Sequence, residues 1–118
     1  MKTKNVEKPQ ELYQIKVTLL GSRPPIWRRL LVPASLTLEQ LHHVLQRAMG
    51  WDDSHMHDFR IGKQRFGRPD PEDRLMGLPD VGNERTVRLF SVLGKVGAKA
   101  VYNVCVRATH LALQGLRW

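Results

Sequence analysis

The chain has 118 residues, of which 42% are hydrophobic and 25% charged, and its formal net charge is +8. This length suits one domain with one core, and this composition excludes a disordered chain. The single cysteine, Cys105, excludes a disulfide framework and zinc sites that take two or more cysteines from one chain, so a reducing cytoplasm is expected. No apolar stretch is long enough to span a bilayer or form a signal core, so no membrane partner is expected.

The basic charge points to one class of partner. A pI near 10.3 favours binding to nucleic acid or another polyanion, with an affinity that falls as salt rises. The charges are spread along the chain, however, and a basic surface that meets only water explains them equally well.

Two strands are predicted near the N-terminus. Residues 1–10 are polar and without period, which is typical of a loose lead-in. Residues 13–19 alternate between apolar and polar, the pattern of a half-buried strand. Glycine and proline at 21–25 predict a turn, and 26–32 form a second strand with apolar groups on both faces. Arg28 shares a side with apolar residues, so we expect it near a sheet edge, paired, or reaching water.

The clearest local signal is a helix over residues 38–49. Thr37 and Gln40 have the spacing of a capping box, and Gly50 suits the left-handed residue that ends a helix. The apolar residues at helical spacing are Leu38, Leu41, Val44, Leu45 and Ala48.

Further elements follow the helix. Residues 55–61 and 64–66 are predicted as a hairpin, and the proline and glycine content of 67–84 indicates a long surface loop. A strand is expected over 99–107, whereas 109–118 match no single pattern. Together the elements predict one α+β domain over 1–118, in which a mixed or antiparallel sheet packs against the helix.

Three segments resemble the plasmid pRiA4b ORF-3-like family. They are YQIKVTLLGSRPPIWRRLLVP, TLEQLHHVLQRAMGW and SHMHDFRIGKQRFG, and the likeness covers about residues 12–93. The resemblance implies a small, mainly bacterial α+β domain of plasmid or mobile-element origin, since the family includes TnpR-like passengers of insertion elements. The resemblance implies no catalytic residue and no cofactor. Recombinase activity is not predicted, because a serine resolvase needs a nucleophilic serine with a cluster of arginines on a much larger catalytic domain.

The C-terminal part departs from the family's pattern. Relatives continue with a Tyr-Asp-Phe-Gly-Asp-x-Trp type segment, whereas this chain has YNVCVR from Tyr102 onward. We therefore expect the part after Val101 to be truncated, divergent or frame-shifted, leaving a sheet edge uncovered. A homo-oligomer could cover such an edge.

Two histidines, His55 and His57, are the first site candidates. On a strand they project from the same face, and with His42 as a third ligand they could hold a metal ion. Asp58 points to the other face of the same strand. In the alternative, which we prefer, both histidines fill the core side and hydrogen-bond to backbone or to Asp52 and Asp53, with no metal bound.

Basic residues beside an aromatic form the second candidate. Trp27, Arg28 and Arg29 follow a proline turn, and this composition is typical of phosphate contact and base stacking. The predicted hairpin adds Arg60, Lys63, Arg65 and Arg68. In the alternative reading the tryptophan packs in the core and the cations are surface charge.

Enzymatic signals are weak. The acids between 70 and 80 have no spacing that singles out a pair, and Ser54 lacks the flanking glycines of a nucleophile elbow. We therefore predict a non-enzymatic binding or interaction module. The competing hypothesis is a metal-dependent or other catalytic domain centred on His55 and His57.

Overall fold

The structure, a computed structural model, describes residues 12–53, 56–77, 81–94, 97–104 and 109–116. Its elements are β1 Leu12–Leu19, β2 Ile26–Pro33, α1 Leu38–Met49, β3 His57–Ile61, β4 Gln64–Gly67, α2 Pro71–Leu75, β5 Gly82–Asn83, α3 Leu89–Val92, β6 Lys99–Val104 and β7 Thr109–Leu116. None of the helices in these ranges has the length and apolarity needed to cross a bilayer.

Seven strands form one sheet in the order β2-β1-β7-β6-β3-β4-β5. Every neighbouring pair is antiparallel except β4 and β5, which run parallel. The predicted α+β class is thus confirmed as one compact domain with a mostly antiparallel open sheet and one main helix. The last strand, β7, lies inside the sheet between β1 and β6, so the edges are β2 and the two-residue β5.

Helix α1 begins and ends where its sequence predicts. The Thr37 side chain accepts from the Gln40 amide at 3.2 Å, and the Gln40 side chain accepts from the Thr37 amide at 2.9 Å. Each bond satisfies an amide that the first turn would leave unpaired. Gly50 closes the helix with φ of 72°, a value that costs glycine little because it has no Cβ.

One buried cluster contains apolar side chains of α1 and of the strands. Leu38, Leu41 and Leu45 are fully buried in it. The fully buried strand side chains of the same cluster are Ile15, Val17, Phe59, Tyr102, Leu111 and Leu113. Because side chains alternate along a strand, these positions define one face of the sheet, the core face.

Two predictions required correction. Residues 67–84 are more than a loop, because they include the end of β4, the short helix α2 and strand β5. The Glu84 amide donates to the Gly67 carbonyl at 3.0 Å, a contact between distant positions that local composition cannot indicate. The ambiguous tail forms β7 as far as residue 116, while residues 105–107 of the predicted last strand lie outside the described residues.

Candidate functional site

The face of the sheet opposite the core, here called the open face, collects several of the predicted binding residues. It includes Lys16, Thr18, Trp27, Arg29, Asp58, Arg60, Arg65, Lys99, Val101, Asn103, His110, Ala112 and Gln114. Cross-strand partners share a face, and the register of each pair therefore assigns these residues together. None of these side chains is buried.

Two rows of paired residues cross the open face. The first row runs from β2 to β6 through Arg29, Lys16, Gln114 and Lys99. The second runs from β2 to β4 through Trp27, Thr18, Ala112, Val101, Arg60 and Arg65. Cations therefore lie on β2 and β1 towards one end of the open face and on β6, β3 and β4 towards the other, while the β7 residues of the two rows, Ala112 and Gln114, are uncharged.

Trp27 is 48% exposed, and its ring lies beside two cations. Lys16 Nζ is 5.3 Å from the ring centroid and the Arg29 guanidinium carbon is 5.6 Å from it. Both distances are within the range at which a cation is attracted to the face of an aromatic ring. The expectation that this tryptophan packs in the core is not met, because β2 is an edge strand that nothing in the described part of the chain covers.

The described open face carries five cations and a single acid, Asp58. Asp58 is itself occupied: it pairs with Arg65 at 3.2 Å and accepts from Asn103 at 2.7 Å. Asp58 lies on the face opposite His57, as the alternation of side chains along a strand predicts. The open face is therefore strongly positive, since its one acid is already neutralised.

Three of the predicted cations lie elsewhere, and one of them, Arg68, follows β4 and lines the cavity described below. Arg28 points to the core face, where its Nε donates to the Ala48 carbonyl at 3.2 Å near the end of α1. Its expected place at a sheet edge is confirmed. Lys63 lies in the turn between β3 and β4. Sequence reasoning missed Lys16 and Lys99, although the alternation of residues 13–19 already placed Lys16 opposite the apolar face.

A second group of polar side chains lies on the core side of the sheet. We call His42, His43, Asp53, His57 and Glu84 the histidine–carboxylate cluster. The His42 and His57 rings stack with centroids 3.5 Å apart and planes 9° apart. Each ring has its own acid: His42 Nε2 lies 2.5 Å from Asp53 Oδ1, and His57 Nε2 lies 2.6 Å from Glu84 Oε1.

His42 is buried and both its ring nitrogens are bonded. With Nε2–H donating to Asp53, Nδ1 accepts from the Tyr102 hydroxyl at 2.5 Å, and this assignment satisfies a neutral ring. Gln46 completes the arrangement, because its amide donates to the Tyr102 oxygen at 2.8 Å and its carbonyl accepts from the Asp53 amide at 2.9 Å. Burial and the neighbouring His57 charge lower the pKa of His42 and outweigh the opposing effect of Asp53.

Asp53 reaches the histidines from just beyond the helix. Its φ of 56° is in the left-handed region, which is uncommon for any residue other than glycine. This backbone turn places the carboxylate between His42 and His43, whose Nδ1 lies 3.0 Å from Asp53 Oδ2. Burial alone would raise the pKa of Asp53, but the hydrogen bond and charge of His42 hold it below its ordinary value.

Glu84 is the most unusual member of the cluster. Its side chain is 1% exposed, and its second carboxylate oxygen, Oε2, has no hydrogen-bond partner among the residues that the structure describes. Burial alone would raise its pKa, yet the hydrogen bond and charge of His57 hold the pKa below its ordinary value. The cluster lines a cavity of about 740 Å³, to which Arg68 and Met56 also contribute.

The structure brings together two of the three histidines that were predicted as possible metal ligands, His42 and His57. His57 lies on the core face beside Phe59, as the preferred interpretation expects, but its acid is Glu84 rather than Asp52 or Asp53. His55 lies outside the described residues. His42 and His57 are brought together, yet their lone pairs lie in parallel planes and do not converge on one ion.

The fold and its cluster define a small α+β domain with a mostly antiparallel open sheet and a histidine–carboxylate cavity on its core side. The chain belongs to the plasmid pRiA4b ORF-3-like protein family, which matches residues 11–104 and confirms the resemblance. This match extends past Val101, where the departure from the family was expected to begin.

Two similar proteins extend the comparison. The chain is 41% identical over 87 residues to the uncharacterized protein y4hQ of Sinorhizobium fredii, covering 74% of this chain and 43% of that protein. It is also similar to the crystal structure of a protein of unknown function, MM3350, from Methanosarcina mazei, with a TM-score of 0.75 and 26% identity. That similarity covers 91% of this chain and 60% of the other. The chain thus spans less than two thirds of both relatives.

Proposed function

We propose that this chain is a non-enzymatic binding module that holds single-stranded nucleic acid on the open face of its sheet. The observation that carries the proposal is the pair of cross-strand rows, which place Trp27, Arg29, Arg60 and Arg65 on one surface with Lys16 and Lys99. Four of the residues predicted from sequence thus lie on one face, as two neighbouring pairs: Trp27 with Arg29 on β2, and Arg60 with its cross-strand partner Arg65.

The dimensions of the rows suit an extended strand. Trp27 on β2 and Arg60 on β3 are four strand spacings apart, which is about 19 Å at the usual separation of neighbouring strands. The side chains between them are Thr18, Ala112 and Val101. They leave a shallow surface on which bases could lie while phosphates meet the cations at each end.

A single strand fits this surface better than a duplex does. The open face is formed by paired strands of a single sheet, whereas proteins that read a duplex usually place a helix or a two-stranded ribbon in a groove. The exposed indole of Trp27 offers a ring on which an unpaired base can stack, whereas a paired base is already stacked on its neighbours.

Fluorescence anisotropy with labelled oligothymidylate and oligouridylate tests the proposal. We expect the logarithm of the binding constant to fall linearly with the logarithm of salt concentration between about 50 and 200 mM. Arg29→Ala should reduce the slope by about 0.7, the value for one lost contact with a single strand. Arg47→Ala is the matched control, because it removes the same charge from an exposed position of α1.

Trp27→Leu separates stacking from charge. We expect weaker binding at every salt concentration with an unchanged slope, because stacking releases no counterions. Two results would reject the proposal: no binding to either oligonucleotide at low salt, or equal losses from the Arg29 and Arg47 variants. Heparin binding as tight as that of the oligonucleotides, with no effect of Trp27→Leu, would reduce the function to general polyanion binding.

We also propose a plasmid or mobile-element origin, a cytoplasmic location and self-association for this chain. A plasmid or mobile-element origin is supported by the description of the family. A cytoplasmic location is supported by the single cysteine. Self-association through β2 is supported by its long edge, which exposes Ile26, Trp27 and Leu31.

A further inference from the structure

We propose that His42, His43 and Asp53 form a binding site for a divalent transition-metal ion. The ligand atoms are His42 Nε2, His43 Nδ1 and the Asp53 carboxylate, which all lie within 4.8 Å of one another. The carboxylate already stands between the two imidazoles, 2.5 Å from one and 3.0 Å from the other. An ion would take the place of the protons that these hydrogen bonds share.

The ligands need only a small adjustment to accept an ion. Metal bonds from imidazole and carboxylate are about 2.0 to 2.2 Å long, so ligand atoms on one ion lie roughly 3 Å apart. Oδ2 of Asp53 already has this separation from His43, and a small rotation of the carboxylate would widen its contact with His42. Because the His43 side chain is 60% exposed and Asp53 39% exposed, the ion could exchange with solvent.

Groups behind the ligands hold them in place. With an ion on Nε2, His42 would carry its proton on Nδ1 and donate it to the Tyr102 oxygen, which is the usual way in which the ring of a metal-binding histidine is fixed. Gln46 contacts both Tyr102 and the Asp53 amide, so a single side chain positions two of the three ligands. His57 is outside the ligand set because its ring stacks on His42 instead of pointing at the same centre.

The ligand types select the class of ion. Two imidazoles and one carboxylate suit zinc, cobalt, nickel or iron, whereas magnesium and calcium prefer oxygen ligands alone. Three protein ligands leave at least one coordination position open. His42, His43 and Asp53 all line the same cavity as Glu84, so this open position lies beside the space in which a further ligand could bind.

The test uses the chain without a histidine tag, stripped with a chelator and dialysed against Zn²⁺, with Co²⁺ as the spectroscopic probe. We expect one ion per chain and a visible cobalt spectrum typical of nitrogen and oxygen ligands. His43→Ala and Asp53→Asn should each weaken binding by at least tenfold. Tyr102→Phe should weaken it about tenfold, the low end of the effect of removing a supporting group.

His110→Ala is the control variant, because it removes a histidine from the open face while leaving all three ligands. It should bind zinc as the unaltered chain does. The His43 position is exposed, so that variant should fold, and circular dichroism checks this for every variant. The proposal is overturned by zinc binding that does not saturate at one ion, or by equal affinity of the His43 and His110 variants. Neither result depends on whether the chain binds nucleic acid.

Discussion

The imidazole rings of His42 and His57 lie face to face, with centroids 3.5 Å apart and an angle of 9° between their planes. Each ring bonds to a different acid, Asp53 or Glu84. Since like charges at this distance repel in a buried place, the arrangement favours a neutral His42. The lowered pKa of His42, caused first by burial and then by the His57 charge, has the same direction.

The unfolding free energy of the metal-free chain should fall in acid. The pKa of His42 is lowered on folding, so the unfolded chain binds the proton more readily, and the loss begins as pH drops through about 6.5. Asp53 and Glu84, whose pKa values are also lowered, should add a further loss below about pH 4.5. Urea unfolding with a chelator present measures this. Constant or increasing stability between neutral pH and about pH 5 would contradict it.

Tyr102 should make the fold sensitive to alkali. Burial raises its pKa from 10.0 to about 12, so the unfolded chain loses this proton first and stability falls as pH rises between these values. The full loss is about 3 kcal/mol. Tyr102→Phe should lack this part of the pH dependence. At neutral pH it should be about 1 to 3 kcal/mol less stable, because His42 and Gln46 lose a shared partner. An alkaline decline of the same size in both chains would show that other groups cause it.

Glu84→Gln tests the buried carboxylate. The substitution keeps an oxygen near His57 but removes the charge that strengthens this hydrogen bond, so we expect a loss of about 1 to 3 kcal/mol at neutral pH. Because folding lowers the pKa of Glu84, the difference between the two chains should shrink as pH falls below about 4.5. Chemical unfolding at both pH values decides the matter. A variant that is equally stable at neutral pH would mean that the bond to His57 contributes nothing.

Thr37→Ala should destabilise the fold by about 1 kcal/mol, because the Gln40 amide loses its acceptor at the start of α1. Thr37→Ser is the matched control, since it keeps the hydroxyl and should cost much less. Thermal unfolding of the two variants provides the comparison. Equal losses would assign the effect to packing of the threonine methyl group and not to the cap.

Gly82→Ala should destabilise the core. An added Cβ would lie 2.5 Å from Cδ2 of the buried Phe66 ring, which is too close for two carbon atoms. Moving a packed ring typically costs about 1 to 3 kcal/mol. Gly67→Ala is the control in the paired strand, because its added Cβ would meet its nearest neighbour at 3.6 Å. Similar stability of the two variants would show that Phe66 moves freely.

Local patterns were sufficient for several elements. Helix α1 was predicted with its observed bounds, because the capping box, the apolar spacing and Gly50 all act within a few residues of one another. The first two strands were predicted to within one residue at each end for the same reason. Residues 67–84 were harder to predict, because β5 is two residues long and exists through its pairing with β4.

The candidate sites could be predicted only in part. Only Arg28 separates Trp27 from Arg29, so the sequence alone predicted that these two side chains share one face of a strand and that Arg28 lies on the other. Their meeting with Arg60 on one surface was not predicted, because three other strands lie between β2 and β3. The partner of His57 was likewise missed, since Glu84 is 27 residues away along the chain.

The amino-acid sequence by itself determined the family, the main helix and which side of each early strand is apolar, because periodicity and caps are interactions between near neighbours. Only the tertiary structure decided which side chains share a face across the sheet and which acid serves each histidine. Those relationships depend on strand order and register, and these are set by contacts between segments that are far apart in the chain.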